Sequence, residues 1–176
     1  MRRSPRQLTT ADELHSAALR ALMRRAHSVH ELRRALERRC PDADLVSAEL
    51  ARLKQQNLLD DARYAREFAR QHATIRRQGR LRIAQELRRR GVPDRHIESA
   101  LDEVFAVQDE AALVRQRLER KLRTVRGPLD ERRLASLYRS LLRAGFAPDQ
   151  VRQAINTVAR GARFDPEETS PPDADS

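Results

Sequence analysis

The chain has 176 residues, 35% of them charged, a formal net charge of +10 and a sequence pI near 11.2. Length allows one ordinary domain or a short array of small ones. The positive field points to a polyanionic or acidic protein partner and to salt-sensitive association. No stretch approaches the 18 apolar residues of a membrane span, and residues 1–15 lack the apolar run of a signal peptide, so a cytoplasmic protein with no membrane partner is expected. The single cysteine, Cys40, excludes an internal disulfide and fits a reducing compartment.

Residues 1–10 carry no periodic pattern and are read as a flexible N-terminus. Leu14, Ala17, Ala18, Ala21 and Leu22 follow the spacing of one helix face. Ser28 with Glu31 forms a capping box, opening a helix with Leu32, Ala35 and Leu36 inward. Asp60 or Asp61 caps a further helix whose inner face carries Tyr64, Ala65, Phe68 and Ile75. Gly79 opens the next, with Ile83, Ala84 and Leu87 inward. Gly91 and Gly145 stand at helix ends, with Pro93 and Pro148 just ahead of the helices that follow. Leu134, Leu137, Tyr138, Leu141 and Leu142 form another apolar face. No window shows sustained strand alternation. Residues 165–176 hold five acids and no base, are rich in proline, and are read as a disordered acidic tail.

These helices repeat. The stretch from Gly91 recurs 54 positions later from Gly145, with Ile97 matching Val151, Ala100 matching Ala154 and Leu101 matching Ile155. A fainter copy lies 51 positions upstream, with Cys40 in the place of Gly91, Val46 of Ile97 and Leu50 of Leu101. The expected fold is all-α: an elongated array of three tandem three-helix repeats at 11–57, 60–107 and 109–160.

Nothing in the chain reads as catalytic. The five histidines are scattered, neighbouring acids such as Asp60 and Asp61 do not face each other on a helix, and there is no phosphate-binding loop or nucleophile motif. No enzyme, cofactor or metal is expected. The turn around Gly91 has the outline of a helix-turn-helix, but the second helix carries Asp94, Glu98, Asp102 and Glu103, which would repel phosphates. The basic residues are the informative ones. Lys54 and Lys121 are the only lysines among 36 cations, and arginine forks suit phosphate and carboxylate. Arg76, Arg77, Arg80, Arg82, Arg88, Arg89 and Arg90 are crowded with only Glu86 as counter-charge, and Arg24 and Arg25 end the first helix. These nine are the candidate contact residues.

RAHSVHELRRAL (25–36), NLLDDARYAREFA (57–69) and GRLRIAQELRRRGV (79–92), in this order and spacing, resemble the RecX family of recombination regulators. Cys40 departs from the family's usual glycine at that helix end. The resemblance implies a non-enzymatic, cytoplasmic protein, expected as a monomer. It would bind the RecA recombinase filament on DNA and limit filament growth, ATP hydrolysis, strand exchange and co-protease activity. Charge alone allows a different reading, a stand-alone helical protein that binds DNA without sequence preference.

Overall fold

In the computed structural model, which describes residues 7–162, the chain forms α-helices α1 (Ala11–Arg24), α2 (Val29–Glu37), α3 (Ala43–Gln55), α4 (Asp61–Thr74), α5 (Arg80–Arg89), α6 (Asp94–Val107), α7 (Glu110–Leu122), α8 (Glu131–Arg143) and α9 (Pro148–Ala162). Among the described residues there is no strand, and no helix is long and apolar enough to cross a membrane. The starts of these helices follow capping chemistry. Thr10, Ser28, Asp42, Asp60, Asp109 and Asp130 each accept a backbone N–H of the first turn, and Ser28 with Glu31 completes a reciprocal capping box.

The chain divides into two compact units. One holds the residues through Arg76 together with Ile83–Val107; the other holds Arg77–Arg82 and the residues from Gln108 onward. The first unit contains two apolar clusters. In one, Leu14, Ala18, Leu32, Leu36, Val46, Leu50 and Leu53 of α1–α3 pack together. In the other, α4 lies closely along α6 because Ala65, Ala69 and Ala73 present a small, fully buried stripe to Ile97, Ala100, Leu101 and Val104. In the second unit Leu113, Val114, Leu118, Leu141, Phe146, Val151 and Ile155 are buried where α7, α8 and α9 meet.

Two sequence expectations are corrected. Ile75 is 71% exposed: α4 ends at Thr74, and the buried positions of its last turn are taken by His72 and Ala73. Residues 7–10 of the stretch read as flexible are placed, with Leu8 buried and its N–H donated to the Arg39 carbonyl at 2.8 Å. Residues 1–6 and the acidic tail 165–176 lie outside the described residues.

One junction is built twice. In the first unit the Ser28 hydroxyl donates to the Arg90 carbonyl, Val29 N–H donates to Asp61 at 2.9 Å, and the His30 side chain lies where a Cβ on Gly91 would be. In the second unit Gly79 N–H donates to the Ala144 carbonyl at 2.8 Å, Arg80 N–H donates to Glu110 at 3.1 Å, and Arg82 lies where a Cβ on Gly145 would be. Ser28 and Gly79 are 51 positions apart, Arg90 and Ala144 are 54 apart, and Asp61 and Glu110 each begin a helix. In both places the start of a repeat's middle helix meets the end of the next repeat's middle helix, and a carboxylate takes one of the unpaired first-turn N–H groups. The backbone dictates glycine at the receiving end, where φ is +72° at Gly91 and +90° at Gly145. At Cys40 no left-handed turn is made; the residue is buried and α2 closes with Cys40 N–H on the Leu36 carbonyl. Leu8 N–H bonds the Arg39 carbonyl there, at the position matching Arg90 and Ala144.

Candidate partner-binding arginines

The first unit brings Arg25 and Arg90 into one polar knot centred on Glu31. Arg25 reaches the carboxylate at 2.9 Å and Arg90 at 2.8 Å, and Arg90 also donates to the Tyr64 hydroxyl at 3.2 Å. The Arg90 guanidinium sits over the Phe68 ring at 4.9 Å, and Phe68 in turn stacks on buried His72 at 3.7 Å. Burial alone would raise the Glu31 pKa. The hydrogen bonds from Arg25 and the Ser28 N–H, with the charges of Arg25 and Arg90, outweigh it and hold the carboxyl below its ordinary 4.5. The same pairing raises the Arg25 pKa, while burial and then the Glu31 charge raise that of Tyr64.

The sign of this linkage is testable. A carboxyl with a depressed folded-state pKa stabilises the fold above its unfolded value and loses that contribution as pH falls through the folded one. Glu31→Gln is expected to lower stability by about 1–3 kcal/mol at neutral pH, with the gap from wild type closing as pH drops below 4.5. Urea unfolding midpoints across that range measure it; a gap independent of pH would show that the charge is not what matters.

The nine candidate arginines fall into different settings. Arg76, Arg88, Arg89, Arg90, Arg24 and Arg25 belong to the first unit, and Arg77, Arg80 and Arg82 to the second. Arg24, Arg76, Arg88 and Arg89 are exposed, Arg88 beside Asp94 at 2.7 Å. Arg25, Arg76 and Arg90 line one cleft of about 240 Å³ with Phe68, Gln71 and His72. Arg77, Arg80 and Arg82 are half-buried and built into the second junction. The Arg77 carbonyl accepts from Arg117 at 3.0 Å, Arg80 N–H donates to Glu110, and Arg82 packs against Gly145. Two of the α6 acids that argued against a base-reading helix are partnered, Asp94 by Arg88 and Glu103 by Arg66 and Arg70. Among the described residues, no three His, Cys, Asp or Glu side chains gather as a metal site.

Residues of the three sequence motifs therefore sit at the first junction. Ser28, Val29, Glu31, Asp61, Tyr64 and Arg90 are joined by hydrogen bonds that span 26 to 62 positions of chain, Val29 N–H being the donor to Asp61. Residues 60–101 match the family model described as RecX, second three-helix domain. The regulatory protein RecX of Halorhodospira halophila is 40% identical over 145 residues, covering 82% of this chain and 87% of that one. The chain belongs to the RecX family. The regulatory protein RecX of Treponema pallidum is 34% identical over 150 residues, covering 85% of this chain and 88% of its own. The fold matches the crystal structure of RecX from Lactobacillus salivarius with a TM-score of 0.71 at 20% identity, over 85% of this chain and 97% of that one. The likeness to RecX proteins thus extends over most of the helical array.

Charge density along the chain does not separate arginines that face solvent from those engaged at the junctions. The repeat itself carries the missing signal. Arg90 matches Ala144, so that position holds no charge in the third repeat, and Arg80 and Arg82 follow closely on Gly79, which bonds the Ala144 carbonyl.

Proposed function

We propose that this protein regulates the RecA recombinase, binding its filament on DNA and restraining filament growth, ATP hydrolysis, strand exchange and co-protease activity. The observation that carries this reading is the extended similarity to regulatory RecX proteins, 40% identity across most of both chains in one case. The net charge of +10 supports a partner that is itself anionic or that wraps DNA. Contact through the exposed arginines of the first unit, Arg24, Arg76, Arg88 and Arg89, would leave the junctions intact. DNA phosphates are the weaker, accessory partner in this reading, and the protein acts as a cytoplasmic monomer.

Stand-alone DNA binding is the second reading, favoured by the same charge. Recombinase ATP hydrolysis on single-stranded DNA separates the two. Inhibition at protein concentrations far below that of the recombinase is the expected result. Inhibition that sets in only when the protein saturates the DNA would indicate competition for phosphate and overturn the regulatory mechanism.

A further inference from the structure

The first two repeats can be compared position by position at the 51-residue spacing, using positions that all lie in the first unit. Between α4 and α5 the second repeat fills its groove with Phe68, His72 and Glu86, and Arg90 covers the Phe68 ring. The matching positions between α1 and α2 are Ala17, Ala21, Ala35 and Arg39. Three large side chains are thus replaced by methyl groups, and a groove of about 690 Å³ remains there, floored by those alanines and Leu36. The covering arginine is kept: Arg39 stands at the groove, and among the described residues its buried Nε has no hydrogen-bond partner. Arg24 and Arg38 complete the rim together with Arg25, whose charge is already paired with Glu31, and among the described residues no acid lines the groove.

We propose that this groove receives an aromatic side chain carried on an acidic segment of a partner polypeptide, with Arg39 closing over the ring as Arg90 closes over Phe68. The apolar floor favours an aromatic ring, and the arginine rim selects acidic flanks. A phosphodiester chain would use the rim and leave the floor unused. The inference rests on the comparison of the two repeats and not on the recombinase reading, so either can fail alone.

The chain has no tryptophan, so a peptide's own indole emission reports the site without background. The probe is the pentapeptide Glu-Glu-Trp-Glu-Glu, titrated with the full chain at moderate salt. A saturable blue shift is expected, with Glu-Glu-Ala-Glu-Glu competing at least about tenfold less well, the equivalent of about 1.4 kcal/mol. Ala21→Phe, which fills the groove from within, should weaken binding by a similar factor. Arg39→Ala should weaken it severalfold while keeping the backbone bond to Leu8, and it carries the test if Ala21→Phe does not fold. An unshifted emission, equal competition by the alanine peptide or by oligothymidylate, or unchanged binding by a folded Ala21→Phe or Arg39→Ala protein overturns the proposal.

Discussion

Gly145→Ala is expected to destabilise the second unit by about 2–5 kcal/mol, summing the cost of a left-handed alanine and of overpacking. Gly145 has φ of +90°, and a Cβ there would collide with the N, Cα and Cβ of Arg82. The obstacle is mostly backbone, so no rotamer change relieves it. Gly79→Ala should act in the same direction, because its Cβ would meet the Gly145 carbonyl and Phe146 N. Gly161, in α9 with nothing within 4 Å of an added Cβ, is the control, and Gly161→Ala should be neutral or slightly stabilising. Thermal unfolding followed by helical circular dichroism measures all three. A melting temperature for Gly145→Ala equal to wild type would mean that the close approach of these two backbones is not a constraint.

Reversing Arg76, Arg88 and Arg89 together to glutamate is expected to raise the concentration needed for half-inhibition of recombinase ATP hydrolysis by at least about tenfold, or about 1.4 kcal/mol. All three are exposed, so folding should change little. The dependence of binding on salt should also become shallower, by roughly one unit of log–log slope for each phosphate no longer neutralised. The companion reversal of Arg80 and Arg82 has a different signature: these half-buried residues belong to the second junction, so melting temperature should fall along with activity. Unchanged inhibition by the folded triple variant would remove the exposed arginines from the mechanism.

Much of the helical array was legible in the chain. Apolar spacing located the helices, and capping residues such as Ser28 and Asp60 marked their starts. Glycines at 91 and 145 marked their ends. These signals are local: helix periodicity and caps act over three or four residues, and a repeat spacing copies them along the chain. The candidate site was only partly legible. Charge density selected nine arginines, but it carried no information on which of them a distant carboxylate or carbonyl would engage.

That choice belongs to tertiary structure. Arg90 meets Glu31 across 59 positions, and Ser28 meets the Arg90 carbonyl across 62. Asp61, which could have been a cap like Asp60, instead accepts from Val29 N–H in another repeat. Leu8, without a periodic partner nearby, is buried in the apolar cluster of α1–α3, its N–H donated to the Arg39 carbonyl at the end of α2. Ile75 has the spacing of a core residue but lies past the last turn that its neighbours cover. Neighbours along the chain are enough to dictate where helices form and that they repeat. Which polar groups pair and which face solvent was settled by folding, because burial and hydrogen bonding depend on what the rest of the chain brings alongside.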